Sequence, residues 1–317
     1  MIVVGSVNVD LVIRSERLPA RGETVTGGTF ERHHGGKGGN QAVAVARLGR
    51  RTVFVGAVGA DGFGREAGGA LADEGVDISG LRTVTEARTG VALILVDGAG
   101  ENLISVASGA NARVSPELVR ATLGHLGALD GDVVLVSREI PPASVVAALE
   151  VARNAGARTI LNPAPATALD PSELGLTDVV TPNRVELAAS AAALPGGRIP
   201  SDIEGQARRL LDMGVGEAVV VTMGAEGALV VPSGGRPSVP IPAFPVHAVD
   251  ATGAGDAFAG ALAVALVEGR PVIEAVRRAV VAAGLSTRRH GAREGMPTLA
   301  ELEAAVAADQ RRPMAAS

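Results

Sequence analysis

Cysteine is absent from the 317 residues, and with it go disulfides, thiolate metal sites and cysteine nucleophiles. Tryptophan and tyrosine are absent too and phenylalanine occurs only five times, so a core has to be assembled from Ala, Val and Leu. Apolar residues make up 47%, enough for one large α/β domain or two small ones, and small aliphatic side chains suit helices packed on a buried sheet. No long basic run occurs, and 34 acidic residues against 29 basic ones give a net charge of −5. That balance argues against nucleic acid and anionic membranes as partners and in favour of small molecules. Long apolar runs are missing as well: Ala257 to Val267 is the longest, short of the roughly 18 residues that would suggest a membrane span. The N-terminus turns polar at Gly5-Ser6 without the basic and apolar regions of a signal peptide, so a soluble cytoplasmic protein is expected.

What the chain does have is glycine-rich turns that run into apolar helical segments. In Val249-Asp250-Ala251-Thr252-Gly253-Ala254-Gly255-Asp256 two carboxylates bracket such a turn, directly before Ala257 to Val267. Small residues at Gly253, Ala254 and Gly255 allow a ligand to approach the backbone, and a helix starting here points its unpaired N–H groups at that ligand. The stretch is an anion seat or, equally, an ordinary turn with an Asp N-cap. His33-His34-Gly35-Gly36-Lys37-Gly38-Gly39-Asn40 opens a second helix from Gln41, with Gly49 at its C-terminal end. It is not a Walker A loop, because Gly38 stands where a Ser or Thr would hold magnesium. The two histidines read as loop residues. Gly62 to Ala67 formally satisfies the dinucleotide fingerprint, and a nicotinamide-dependent oxidoreductase is the different-class alternative it raises.

Elsewhere the order is regular. Asn8 and Asp10 share one face of an extended N-terminal segment, and Pro19 to Gly28 reads as turn and short exposed strand. Thr89 to Val96 and Leu103 to Val106 form a hairpin, and Ser115-Pro116-Glu117 starts a helix. Strands at 133–136, 159–161, 179–180 and 218–222 alternate with helices at 144–154, 184–193 and 203–213, which predicts βα units and a mainly parallel sheet. Ligands of such sheets collect beyond the carboxyl ends of the strands, where Arg138-Glu139, Asn162, Thr181-Pro182-Asn183 and Thr222-Met223-Gly224 fall.

Taken together, Gly5 to Asp10, Gly22 to Gly27, Gly35 to Ala42, Thr89 to Ile94, Gly109 to Asn111, Leu161 to Ala166, Thr181 to Asn183 with Glu186, and Asp250 to Asp256 resemble the ribokinases, within the phosphofructokinase B family of carbohydrate kinases. The resemblance implies one α/β domain over residues 1–317, a mainly parallel central sheet sandwiched by helices, with a small β-sheet lid from about 11–30 and 89–108 that often pairs two subunits into a homodimer. It implies ATP-dependent transfer of the γ-phosphoryl group to O5 of D-ribose, or to a related acceptor such as deoxyribose, fructose or adenosine. Asp256 would be the base and the Gly253, Ala254 and Gly255 amides the anion hole. Sugar contacts would fall to Asn8, Val9, Asp10, Gly36, Lys37, Gly38, Gly39, Asn40 and Glu139. Nucleotide contacts would fall to Asn183, Glu186, Thr222, Met223, Gly224, Ala225, Glu226, Gly227, Gly255 and Val280, with Asn183 and Glu186 supporting Mg2+ beside ATP. A potassium ion would sit at Asp250, Thr252, Ser286, Arg289, Gly291 and Gly295.

Four departures accompany it: Ala251 for a usual Thr, Gly295 for a usual Ser, Arg293-Glu294 for a usual Gln-Pro, and Val280 where Asn or His often meets the nucleotide. Two expectations come from the residues themselves. Asp256 at a helix N-terminus should be held as a carboxylate and so be a weak base. A wall carrying Asp10 and Glu139, with only Lys37 to offset them, favours a free sugar over a sugar phosphate.

Overall fold

The computed structural model describes residues 1–127 and 129–310. In chain order the elements are β1 (Ile2–Val4), β2 (Asn8–Arg14), β3 (Thr29–Gly35), α1 (Lys37–Arg47), β4 (Val53–Gly59), α2 (Gly62–Asp73), β5 (Leu81–Val84), β6 (Gly90–Val96), β7 (Asn102–Ala107), α3 (Pro116–Leu126), β8 (Val133–Ser137) and α4 (Pro142–Asn154). There follow β9 (Arg158–Asn162), α5 (Pro171–Gly175), β10 (Val179–Val180), α6 (Arg184–Ala193), α7 (Ile203–Leu211), β11 (Ala218–Thr222), β12 (Ala228–Pro232), β13 (Val239–Ile241), α8 (Ala254–Val267), α9 (Val272–Ser286) and α10 (Leu299–Gln310).

Nine strands form the central sheet in the order β13-β12-β11-β10-β9-β8-β1-β4-β5. The run from β11 to β5 is parallel, and β12 and β13 join it antiparallel at one edge. One apolar cluster covers each face, the first dominated by α1, α8 and α9, the second by α3, α4, α6 and α7. This is the predicted parallel sheet between helices. The strands grow outward in both directions from the β1/β8 pair, so the crevice of a doubly wound sheet is expected beyond the carboxyl ends of these two strands.

A second sheet, β3-β2-β6-β7, stands apart. The chain enters it directly from β1 through Gly5-Ser6-Val7, and β2 pairs antiparallel with β3 and parallel with β6. Here the structure departs from the sequence pattern. Pro19 to Gly28 contains no strand, while His33 and His34 lie in β3 rather than in a loop. The pairing with β2 imposes extended structure on a polar segment whose own composition does not ask for it.

Local signals explain the helix starts that position the site. Ser115 accepts Leu118 N at 3.2 Å, with Pro116 in the first turn of α3. Asn183 and Glu186 form a reciprocal capping box on α6. Helix α8 begins at Ala254 with Gly253 at its N-cap in the left-handed region (φ 75°), so Asp256 lies inside the first turn and is not the cap. From Ala257 to Leu266 every α8 residue is buried, as a helix apolar all round must be.

Helices α1 and α8 meet at Gly260, where an added Cβ would lie 2.6 Å from Ala44 Cβ and 3.1 Å from Gln41 O. Gly260→Val is therefore expected to cost about 1–3 kcal/mol by overpacking. Urea denaturation checks it; a midpoint equal to that of the unaltered protein would refute the close approach.

Candidate active site

Three helix N-termini, those of α1, α6 and α8, converge beyond the carboxyl ends of the parallel strands, and the side chains between them form one polar network. At its centre is Asp256, 5% exposed. Asn40 Nδ2 donates to its Oδ2 at 3.1 Å and Gln41 Nε2 to its Oδ1 at 3.1 Å. The same Gln41 nitrogen reaches Asn162 Oδ1 at 3.1 Å, and Asn162 Nδ2 donates to Thr181 O at 3.2 Å. Lys37, Asn40, Gln41 and Ala44 follow the spacing of one helical face, so α1 presents two amides and an ammonium to α8.

Burial raises the pKa of Asp256, and the Lys37 ammonium and the Asn40 and Gln41 hydrogen bonds pull it back. The helix terminus does not by itself keep this carboxylate a weak base: enclosure works against it, and a raised pKa makes a better proton acceptor. Lys37 is opposed by its own burial, but the Asp256, Glu139 and Glu186 carboxylates outweigh that and raise its pKa, so it stays an ammonium among three acids.

The first glycine-rich loop forms the floor beside this network. Gly39 N donates to Ser6 O at 2.8 Å, and Gly36 is left-handed (φ 84°), where a Cβ would lie 2.6 Å from Val7 Cα. A Cβ on Gly35 would lie 2.2 Å from both carboxylate oxygens of Asp10. Glu139, just past β8, accepts from Ser6 Oγ and from Lys37 N at 3.0 Å. Asn8 is 5% exposed, and its Oδ1 accepts Asn111 Nδ2 at 2.7 Å. Asn8, Asn111 and Glu139 line a cavity of ≈ 420 Å³ between the small sheet and the main body. Val9 does not join them. Strand alternation buries its side chain in the core, so only its backbone is available to a ligand.

On the other side of Asp256 a larger cavity of ≈ 570 Å³ is lined by Thr222, Gly224, Ala225, Gly227, Ala254, Gly255 and Val280, among others. Met223 and Glu226 are not in its wall. Met223 packs against the second apolar cluster, and the exposed Glu226 pairs with Arg184 at 2.6 Å. Asn183 bridges to Thr222, the first of the wall residues. In the turn before α8, Ala254 N donates to Ala251 O at 3.2 Å and Asp256 N to Gly253 O at 3.0 Å, whereas among the described residues the Gly253 and Gly255 amides donate to nothing. The donors available to an anion are thus those of the two glycines, and the Ala254 amide is held by the turn.

The residues expected around potassium gather only in part. Asp250 Oδ1 accepts Thr252 N at 2.9 Å and Thr252 Oγ1 at 2.6 Å, and its Oδ2 accepts Gly291 N at 2.9 Å. The carbonyls of Ser286 and Gly291 lie against Gly295, where an added Cβ would be 2.2 and 3.2 Å away. Arg289 turns elsewhere, to Glu301 at 2.6 Å. Among the described residues no group of three or more His, Cys, Asp or Glu side chains could hold a metal ion on its own.

Gly62 to Ala67 is not a dinucleotide site. Asp61 caps α2, accepting Gly64 N at 2.8 Å and also Thr89 N and Oγ1, so a carboxylate already occupies the place a pyrophosphate would need. Gln41, Asn111 and Arg293 were named in the sequence reading without a role in the site. The helical spacing from Lys37 carried the signal for Gln41; Asn111 and Arg293 come in from distant segments.

The family model of the pfkB carbohydrate kinases matches residues 1–299, and the chain belongs to that family. Within it the chain is of the ribokinase type. It is 38% identical over 301 residues to the ribokinase of Haemophilus influenzae, covering 94% of this chain and 95% of that one, and 38% identical over 301 residues to that of Bacillus subtilis, covering 95% and 97%. Among solved structures it resembles Thermotoga maritima ribokinase (TM-score 0.85, 34% identity, 96% and 98% covered) and Arabidopsis thaliana ribokinase complexed with ribose and ATP (TM-score 0.84, 32% identity, 96% and 97% covered).

Asp10 carries a testable electrostatic cost. Burial first, then Glu139, push its pKa from 3.8 up to about 6, against the pull of Arg293 and His33. A carboxyl whose folded pKa is raised binds its proton more tightly when folded, so stability falls as pH rises from about 4 to 6 and the full penalty, at most about 3 kcal/mol, stands above that. Asp10→Asn is expected to raise the urea midpoint at pH 7.5 and to give no gain at pH 4. Equal changes at both pH values would remove the electrostatic explanation.

Proposed function

We propose that this chain is an ATP-dependent sugar kinase that phosphorylates D-ribose at O5. The observation that carries the reading is Asp256: a nearly inaccessible carboxylate aligned by two amides, next to unpaired backbone donors on one side and a polar, hydroxyl-binding wall on the other. Asn8, Asp10, Asn40, Glu139 and the Gly36 to Gly39 backbone hold the sugar. Thr222, the Gly224 to Gly227 turn, Gly255 and Val280 hold the nucleotide, and the small apolar Val280 contributes contact without reading a base edge.

The O5 hydroxyl gives its proton to Asp256 as the O5–Pγ bond forms, and the bond from Pγ to the bridging oxygen of ADP breaks on the opposite side. The transition state is loose, so the chain contributes mainly positioning and charge. The Gly253 and Gly255 amides and the Lys37 ammonium neutralise the equatorial oxygens without reorganising. Glu186 and Asn183 fit a hydrated magnesium ion: Glu186 is 7% exposed, and its Oε2 is fixed by Asn183 N at 2.8 Å, leaving Oε1 to accept from a metal-bound water. Bound there, such an ion would supply positive charge against the phosphates and so ease departure of ADP. Asp250 and the Ser286 and Gly291 carbonyls are oxygen donors of the kind a potassium ion takes, which supports potassium activation.

The small sheet also supports a homodimer, and we propose the cytoplasm as its location. Ile13, Phe30, Leu93 and Leu103 are each more than 40% exposed on one face of this sheet, an apolar patch a soluble monomer would not ordinarily leave in water. Among the described residues no helix is long and apolar enough to cross a membrane. Leu93→Arg with Leu103→Arg should convert the dimer to a monomer in sedimentation velocity; an unchanged sedimentation coefficient would exclude this face as the interface.

Turnover with ribose, deoxyribose, fructose and adenosine, with and without potassium, tests the acceptor and the cation, and absence of ribose turnover would reject the specific reading. Asp256→Asn should keep ATP and ribose binding and lose roughly 10²–10⁴-fold in kcat. Near-normal rates in that variant would overturn the base assignment.

A further inference from the structure

Arg293 comes from a segment after α9 that carries no sugar or nucleotide contact in the reading above, yet its side chain ends inside the network of Asp256. The residue is 4% exposed. Its Nε donates to Asn40 Oδ1 at 3.0 Å, its Nη2 to Gly35 O at 3.2 Å, and its Nη1 is buried without a partner. A buried guanidinium is costly unless its surroundings return charge and acceptors. The acids facing it are Asp10 from β2, Asp256 from α8, Glu74 after α2, and Glu294 beside it. Its backbone is pinned as well: Arg47 Nη1 donates to the carbonyls of Arg293 and Met296, and Arg47 Nε is held by Glu74 at 2.8 Å.

The link to Asp256 runs through the Asn40 amide. Its two ends are nearly alike in shape but opposite in polarity, so its orientation is decided by what each end faces. Arg293 only donates, and it claims Oδ1; Nδ2 is then the end left for the Asp256 carboxylate. Turned over, the amide would place its oxygen against Asp256 Oδ2 and its nitrogen against the guanidinium. The same guanidinium holds the Gly35 carbonyl, and Gly35 is the residue over which the Asp10 carboxylate lies. A neutral glutamine, the residue the family resemblance leads one to expect here, carries no charge and can itself turn over.

We propose that Arg293 is a positioning residue for phosphoryl transfer: it locks the Asn40 amide in the orientation that aligns Asp256, steadies the Gly35 floor under Asp10, and supplies the second positive charge of the sugar side. This rests on the kinase reading above. The cation count there is consequently two, Lys37 and Arg293, against Asp10, Glu139 and Asp256. Besides Arg293, the charged groups facing Asp256 are Lys37, Glu139, Glu186 and Asp10, and those facing Asp10 are Glu139, His33 and Asp256.

The experiment compares the unaltered enzyme with Arg293→Met, Arg293→Gln and Arg293→Lys by steady-state kinetics, pH profile and thermal melting. Arg293→Met is expected to lower kcat about tenfold or more and raise the ribose KM about fivefold, leaving the ATP KM within about twofold. Loss of the charge should also move the acid limb of kcat/KM for ribose upward by about half a pH unit, because both neighbouring carboxylates then bind protons more tightly. Arg293→Lys keeps the charge but cannot reach both acceptors, so its limb should stay in place while kcat falls. Unaltered kcat and ribose KM in folded Arg293→Met or Arg293→Gln would overturn the proposal, as would a lower melting temperature with unchanged kinetics per folded molecule. Should Arg293→Met not fold, the kcat and limb positions of the Gln and Lys variants decide in the same way. An unaltered enzyme that does not phosphorylate ribose would instead reject the functional reading, and the variants are then compared on whichever acceptor it does turn over.

Discussion

The constraint on which the site depends is that a carboxylate, Asp256, is enclosed almost completely by protein. An acid in that position either takes up a proton or is surrounded by donors and positive charge. Here the surroundings are specific: Asn40 and Gln41 from α1 supply one hydrogen bond to each oxygen, and Lys37 on the same helix supplies the charge. Because these groups all come from the first turns of α1, the carboxylate is held only if α1 and α8 pack at one fixed spacing. Gly260 and Ala44 set that spacing by bringing the two helices into close approach. The packing of α1 on α8 and the alignment of the Asp256 carboxylate are therefore one requirement.

The sheet determines where this happens. Strands leave β1 in one direction through β4 and in the other through β8, and the carboxyl ends of that pair carry Gly5-Ser6 and Glu139, joined by a hydrogen bond. The chain turns at Gly5 to Val7 into the small sheet, so the wall bearing Asn8 and Asp10 is a direct continuation of the strand that founds the crevice. The glycines of the first loop have a steric purpose in this arrangement. Side chains at Gly35, Gly36 or Gly38 would collide with Asp10 or with the Gly5 to Asn8 backbone, and the floor of the crevice would lift.

Charge separates the two sides of Asp256. The side proposed for the nucleotide is built from backbone, small residues and Val280, with free amides at Gly253 and Gly255. The side proposed for the sugar holds Asp10 and Glu139, which suit neutral hydroxyls and resist a second phosphate, and the two buried cations, Lys37 and Arg293, offset those acids without abolishing the preference. A small acceptor bearing hydroxyls on one side and a polyphosphate on the other is what this asymmetry fits.

Much of this was legible in the sequence. The alternation of βα units predicted the parallel sheet, and the two glycine-rich helix starts with Asp256, Lys37 and Asn40 marked the site, because glycine where backbone must be approached and a helix beginning where donors are needed are local requirements written in adjacent residues. Strand β3 was not legible, since Thr29 to Gly35 is polar and is made extended by its neighbour β2. Nor did the sequence show which residues of the Thr222 to Gly227 turn reach the cavity beside it: Met223 faces the core and Glu226 the solvent, a matter of backbone direction over a few residues. By itself, then, the sequence determined the fold class, the helix starts and the identity of the central acid. Only the tertiary structure decided that Asp256 has its pKa raised rather than lowered, that Gln41 and Asn40 divide its two oxygens, and that Arg293 reaches it from 253 residues beyond Asn40. Burial and long-range contact are properties of packing, and no window along the chain contains both partners.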